Sequence, residues 1–568
     1  MNNLDDFIEI DINLLYPESQ VVGITIRWNP IHKNQRIILP SWAPGSYTIR
    51  DYSQYLFGFT VYQNNTKLGF SRETTNSWLF SIEKLSCLTL KYKVIASENT
   101  VRTSYIDSNL ASLCLPSLIA YSEETRSKVH KLNIITKKEW NTYIPLKGHI
   151  QKEASNYDEL IDCPLHSGEF ISKKINVLGY EHQIIFITEP PFGISHEILK
   201  DIESICTTTC KLMNGDPPAK DSYQFIIQAS EYLYGGLEHD NSCFIQYCWK
   251  KLIDRNGYRK FLQLVGHEYL HQWNIRRLRP KEFIRYNYIE PVISENLWFA
   301  EGVTSYLDIF LPYISGLSTI EDLYIDISNI LTRYLNSPGR KIQSLGESSR
   351  EAWVKLYKST PSSQDTQISY YNLGALVSMS LDINLRHRCS SLSELLRFLW
   401  SDPEITEFGY SRSDILRFVG KIDQNIATKL IRWLDYPDSL DINECFSLVG
   451  LSIRKEKSNS NYQGINLKLS EDGYITTRIE LDSPAMRAGL IKGDKLIAIN
   501  KFIIKEIDDV YNLLSKAESS TIHFSRKGKL MSVELIKDSR LNYTYNIYES
   551  QNCIDAVTSL RRSWLQVV

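Results

Sequence analysis

The sequence predicts a multidomain α+β protein. It has an N-terminal β-sandwich, a mixed domain that becomes helical in its C-terminal part, and a small β-rich unit near the end. Three observations predict this. Short alternating strands with turn signals fill residues 1–175. An amphipathic helix carrying His267-Glu268-Tyr269-Leu270-His271 lies in the middle of a stretch that runs from 176 to 445. Alternation with glycine turns then returns over 446–545, and 546–568 remains as a C-terminal tail. A chain of 568 residues has room for three or four such units.

Composition excludes several classes. A formal net charge of −2 gives no bulk basicity for nucleic acid. A hydrophobic content of 43% suits well-cored globular domains. The start, Met1 to Asp6, is acidic and polar, unlike a secretory signal. No run of about 18 apolar residues marks a membrane span. The ten cysteines are scattered, with no C-x-x-C, which predicts reduced thiols and a cytoplasmic location.

In the first domain, Phe7 to Ile12, Val21 to Trp28 and Phe57 to Tyr62 alternate. Asn64-Asn65-Thr66 reads as a hairpin turn, and Trp78 to Ile82 and Leu88 to Val94 continue the strands. The segment Leu39-Pro40-Ser41-Trp42-Ala43-Pro44-Gly45-Ser46-Tyr47 is rich in turn residues, and composition favours a rigid connection. From about 176, Ile198 to Met213 reads as a helix and Tyr223 to Gln228 as a buried strand. In Gly235-Gly236-Leu237-Glu238-His239, the two glycines allow close backbone approach beside an extended peptide. Glu238 is a candidate for a substrate ammonium group or a solvated turn acid; His239 is a substrate contact or structural.

Histidines at i and i+4 share one helix face, so His267 and His271 stand at the separation that two ligands of one zinc ion need. Glu268 lies beside them and is placed as a general base. Catalytic zinc takes three protein ligands. The candidate third is Glu301, with 29 residues between it and His271, inside the apolar stretch Leu297 to Tyr306. A carboxylate there is costly to bury unless paired or metal-bound. Glu295 is the alternative, in the polar segment Ser294-Glu295-Asn296 that reads as an N-cap. Arg276, Arg277 and Arg279 are expected to pair with nearby acids or face solvent. Periodicity makes 317–445 mostly helical, including Leu392 to Trp400 and Ser413 to Val419. Ser369-Tyr370-Tyr371-Asn372-Leu373-Gly374 opens one helix, whose tyrosines pack or, if one faces the metal, donate to an oxyanion. In the last unit, a polar loop, Lys457 to Asn461, precedes alternating strands at 465–469 and 475–479. Ser483 to Leu490 is a short helix closed by Gly489. Such a module binds an extended peptide by β-augmentation or caps the enzyme.

Taken in this order, the motifs resemble the glycyl aminopeptidase family of zinc metallopeptidases. The resemblance rests on Pro40 to Tyr47, Gly235-Gly236-Leu237-Glu238-His239, and His267 to Asn274. It continues through Trp298-Phe299-Ala300-Glu301-Gly302 to Tyr306 and Tyr370 to Ala375; Ser483-Pro484-Ala485 to Leu490 with Gly493-Asp494 is similar to a PDZ domain. It implies a β domain, a thermolysin-like catalytic domain and a PDZ-like domain. It also implies one Zn2+ per chain on His267, His271 and Glu301, with Glu268 as base and acid. Glu238, with Gly235 and Gly236, would hold the substrate's amine end. Tyr371 would stabilise the tetrahedral intermediate, with Tyr370 as the fallback. Two positions depart from the pattern. Leu373 stands where lysine is common, and Ser305 stands where thermolysin-type enzymes place a histidine-orienting aspartate, which leaves Asp308 as the candidate for that role. The implied activity is removal of N-terminal residues, glycine or alanine among them, from peptides. The competing readings are a zinc endopeptidase, or a PDZ-based peptide-binding protein with a non-catalytic zinc. The expected partners are a peptide substrate and a C-terminal peptide at the PDZ-like unit, with no nucleic acid.

Overall fold

The structure, a computed structural model, describes residues 6–149, 151–457, 463–471, 473–515, 517–537, 543–551 and 553–566. The acidic start over 1–5, the polar loop over 458–461 and Tyr462 lie outside the described residues.

The N-terminal domain is β-rich. A seven-stranded sheet runs in the order Lys152–Ala154, Val129–Ile135, Phe7–Asn13, Val21–Trp28, Leu88–Ile95, Leu56–Gln63 and Thr66–Leu68. Alternation in Phe7–Asn13 buries Ile8, Ile10 and Ile12 on one face. Asn64 and Asn65 both have positive φ, 47° and 68°, as the two-residue turn of a twisted hairpin requires. Two smaller sheets, of four and three strands, complete the domain.

The next sheet has five strands, ordered Ile171–Val177, Tyr180–Thr188, Tyr223–Ser230, Ser242–Cys248 and Gly235–Glu238. Its first strand moves the expected boundary at 175. Leu178 and Gly179, with φ of 53° and 94°, fold Ile171–Val177 back onto Tyr180–Thr188, so the second domain begins near 170. Tyr223–Ser230 runs parallel to both neighbours and is buried along nearly its whole length. Gly235–Glu238 is antiparallel to Ser242–Cys248 and forms the edge.

Helices follow from Arg255–Leu270 through Ile442–Leu448. Gly266 lets the first of them press against Leu311 of Val303–Ile314; a Cβ at 266 would lie 2.6 Å from Leu311 Cδ1.

The PDZ-like sheet runs Ile465–Ser470, Gly473–Ile479, Lys495–Ile499, Ser519–Arg526 and Lys529–Ile536, over a separate core that includes Leu490, Ile499 and Phe524. Leu451–Lys457 is not part of it. That strand pairs with Tyr543–Glu549, in register from Leu451↔Glu549 to Lys457↔Tyr543. The ribbon docks on Ile320–Leu335, where Ser328 Oγ accepts from Ile547 N at 3.0 Å and Thr332 Oγ1 from Tyr545 N at 2.9 Å. The expected unit of 446–545 therefore contains the ribbon that carries the module as well as the module. Nor is 546–568 a tail: it finishes a strand and forms helix Asp555–Gln566, whose buried Trp564 donates to Tyr306 Oη at 3.1 Å. Arg478 of the module forms a buried pair with Asp365 of the helical region at 2.6 Å.

Candidate active site

Helix Arg255–Leu270 is capped by Asp254, whose side chain accepts from Gly257 N, and it delivers His267 and Glu268 with His271 as its last cap. Each imidazole is oriented through Nδ1. Asp308 Oδ2 lies 2.8 Å from His267 Nδ1, and the Asn274 carbonyl lies 2.6 Å from His271 Nδ1. These partners take one ring nitrogen and leave both Nε2 atoms pointing at Glu301 Oε2, at 3.5 Å and 3.3 Å. Asp308, and not Ser305, is thus the partner that orients His267.

Glu301 reaches this point on an irregular turn. Trp298–Gly302 is a π-helical segment before the regular helix Val303–Ile314, a widening often found at functional sites. Asn274 Nδ2 stitches it by donating to the carbonyls of Phe299 and Ala300 at 3.0 Å and 3.1 Å. Gly302 then meets Gly374 of helix Tyr370–Arg386. A Cβ on Gly302 would sit 2.5 Å from Gly374 Cα, so only glycine permits this crossing. The crossing places Tyr371 over the cluster of His267, His271 and Glu301, its ring 6.4 Å from that of His267. Glu295 is elsewhere, on the surface between Arg350 and Arg412.

The donor atoms of His267, His271 and Glu301 lie within 4.8 Å of one another, as do those of Glu238, Glu268 and His271. Two imidazoles and one carboxylate, all converging through free lone pairs, fit a catalytic zinc ion. The second set has two carboxylates and one imidazole, and its acids carry the orphaned atoms: Glu268 Oε2 and Glu238 Oε1 are enclosed without a partner. Burial raises the Glu268 carboxyl to about 7, against the pull of His267 and His271; a bound cation would lower it. Burial opposes charge on Glu301, yet His271 and His267 hold its carboxyl below the usual range.

Strand Gly235–Glu238 closes the cleft from above. A Cβ on Gly236 would lie 1.9 Å from Glu268 Oε1, and one on Gly45 would lie 2.8 Å from Glu238 Oε1. Gly45 has φ +79°, so a side chain there is excluded twice. Gly235 faces Val101, not the cluster. His239 points away from the cleft, to Asp162 at 3.4 Å. Arg276 lies between the domains, 2.5 Å from Asp162 and 2.9 Å from Asp240, while Arg277 donates to the Asp240 carbonyl at 2.9 Å. This lattice fixes the loop after Glu238.

Further residues reach the site from other segments. The segment from Pro40 to Tyr47, which composition reads as a rigid connection and which carries part of the family resemblance, runs into the site. Trp42 is fixed by donating to the Asn287 carbonyl at 2.8 Å, and Tyr47 Oη donates to Glu301 Oε1 at 3.1 Å. Tyr357, in the short helix Leu356–Lys358, places its hydroxyl 2.7 Å from Tyr371 Oη. Burial first, then the charge of Glu301, push the Tyr371 phenol well above its ordinary pKa, so it keeps its proton as a donor. Tyr370 is stacked beneath Tyr371 at 4.8 Å, with its hydroxyl enclosed and without a partner.

The model for the M61 glycyl aminopeptidase family matches residues 260–377, that for the M61 N-terminal domain matches 9–169, and that for a PDZ domain matches 475–524. An aminopeptidase N family protein from Idiomarina loihiensis superposes with a TM-score of 0.89 at 27% identity, over 98% of this chain and 100% of that one. An M1 zinc metallopeptidase from Deinococcus radiodurans shares the fold at 10% identity, with a TM-score of 0.50 over 78% of this chain and 96% of that one. A Staphylococcus aureus (strain N315) protein named as a zinc metalloprotease is 50% identical over 54 residues. That match spans 9% of this chain and only 13% of the relative's length. With both halves of the family's signature present, and a likeness that extends over nearly the full chain, this protein belongs to the M61 glycyl aminopeptidase family of zinc metallopeptidases.

Proposed function

We propose that the protein is a zinc-dependent aminopeptidase, with one zinc per chain, that releases N-terminal residues such as glycine or alanine from peptides. The observation that carries this reading is Glu238. Its Oε1 is buried without a partner, beside Glu268 and His271. A buried carboxylate is costly unless a cation meets it, and a substrate's α-ammonium group is that cation. A peptide held by its amine at Glu238 presents its first peptide bond to Glu268.

His267, His271 and Glu301 would hold the zinc ion, which would supply Lewis acidity and lower the pKa of the attacking water. Glu268 takes a proton from the attacking water and returns it to the leaving amine. Tyr371 donates its phenolic hydrogen to the developing oxyanion, an effect worth about 3 kcal/mol per donor in comparable sites. Gly236 lets the substrate backbone lie close above Glu268. The ten cysteines, all unpaired, support a reducing compartment and hence a cytoplasmic location. The PDZ domain is the candidate site for a C-terminal peptide.

The test compares peptides with free and acetylated N-termini, with and without a zinc chelator, read by mass spectrometry. Chelator-sensitive release of single residues from free peptides alone is expected. Internal cleavage of both sets would make the protein an endopeptidase. Metal binding without any cleavage would favour a PDZ-based binding protein.

A further inference from the structure

Arg102 is a charged cleft residue whose chemistry the proposed reaction leaves unused. It stands on a braced turn of the N-terminal domain. Thr100 Oγ1 accepts from Arg102 N at 3.2 Å, Tyr52 Oη donates to the Arg102 carbonyl at 2.8 Å, and Thr103 Oγ1 donates to the Glu98 carbonyl at 2.7 Å. The side chain crosses to the catalytic domain, where its terminal nitrogen donates to the Gly236 carbonyl at 3.2 Å. Nε is enclosed and has no partner. Among the described residues Arg102 forms no ion pair, and Tyr357, Tyr371, Glu238 and Glu268 act on its charge through space. Two acids and two phenols therefore act at a distance on a guanidinium that pairs with none of them.

Position along the strand suggests what it binds. Gly236 and Glu238 are two residues apart on an extended edge strand, so their backbones are separated by about 7 Å at roughly 3.3 Å per residue. An extended dipeptide spans about the same length from its amine to its carboxylate. A guanidinium with a free Nε–H suits a carboxylate, which accepts parallel hydrogen bonds.

We infer that Arg102 binds the free α-carboxylate of a short substrate whose amine is held by Glu238, which makes dipeptides the favoured substrate class. This rests on the aminopeptidase reading of the same site. A longer peptide places an uncharged amide at Arg102 and forfeits the ion pair.

The test measures binding by calorimetry in zinc-loaded Glu268→Gln protein, with Gly-Phe and its C-terminal amide as probes. The free acid is expected to bind at least tenfold more tightly than the amide. Adding Arg102→Gln should erase that difference while leaving amide binding within about twofold, and adding Arg102→Lys should retain part of it. Equal binding of acid and amide, or no binding of either, would overturn the inference. So would an equal loss of both on Arg102→Gln, which would make Arg102 a prop for Gly236. A preserved tenfold preference in a wild-type protein that turns over no free-amine peptide would strike the aminopeptidase reading alone.

Discussion

Tyr47 Oη donates to Glu301 Oε1 at 3.1 Å, joining residues 254 positions apart and two different domains. Glu301 Oε2 faces the two imidazoles, so the bond from Tyr47 sets which carboxylate oxygen is turned to them. Partners of this kind typically change metal affinity by about 10–100-fold. Tyr47→Phe is expected to weaken zinc binding by roughly tenfold in competition with a chromogenic chelator, with most activity restored at saturating zinc. Unchanged affinity would show that Glu301 is oriented by the π-turn alone.

Glu268 is expected to act in proton transfer and not in holding metal. Glu268→Gln should retain one zinc per chain by mass spectrometry of metals while kcat falls by about 10²–10⁴-fold. Loss of zinc with loss of activity would instead place Glu268 in the ligand set with Glu238 and His271.

The Gly302–Gly374 crossing is expected to control the position of Tyr371. Gly302→Ala drives a methyl to within 2.5 Å of Gly374 Cα, where backbone, not a flexible side chain, must yield. Overpacking of this type costs about 1–3 kcal/mol. A lowered urea midpoint together with a reduced kcat is expected. A lowered midpoint with normal kcat would uncouple Tyr371 from the crossing.

Asp162 gives a pH signature. Burial works against its charge, but Arg276, His239 and the Asp240 amide together hold its carboxyl well below the ordinary value of 3.8. A depressed folded pKa contributes stability that is fully present above the unfolded pKa and is lost as pH falls toward the folded one. Asp162→Asn also takes from the buried Arg276 the closer of its two carboxylate partners and leaves it Asp240, so a loss of about 1–3 kcal/mol is expected at pH 7. The gap in urea midpoint between wild type and variant should be constant from pH 5 to 7 and narrow below pH 4. A gap that widens on acidification would reverse the assigned sign.

Much of this architecture was legible in the sequence because it is local. Alternation places Ile8, Ile10 and Ile12 on one face, and the i,i+4 spacing of His267 and His271 follows from one turn of helix. Glu301 was legible by its burial cost, an acid inside an apolar stretch. What could not be read depends on tertiary packing. Tyr357 carries no motif; only the fold brings it to Tyr371. Arg102 enters from another domain, and nothing near it in the chain distinguishes it from other loop residues; Tyr47 closes a segment that carries part of the family resemblance, but composition alone reads that segment as a rigid connection. Asn274 sits beside the zinc motif, but its task, satisfying carbonyls released by a π-turn, presupposes a turn that periodicity reads as ordinary helix. The terminal helix was missed for a related reason: Trp564 is the anchor of a short segment whose other residues are largely polar.

The ribbon of Leu451–Lys457 and Tyr543–Glu549 carries a consequence for how this protein can be cut. Lys457 and Tyr543 are register partners, so the chain leaves for the PDZ domain and returns at one point. Topologically the domain is a detachable loop, and a two-residue hairpin turn could replace everything between them. The remaining polypeptide would keep its terminal helix and the lock of Trp564 on Tyr306. The cut would leave Asp365 and Gln364 deprived of Arg478. Excision with Asp365→Asn would therefore yield a minimal peptidase, whereas truncation at 457 would strip a structural helix together with the module.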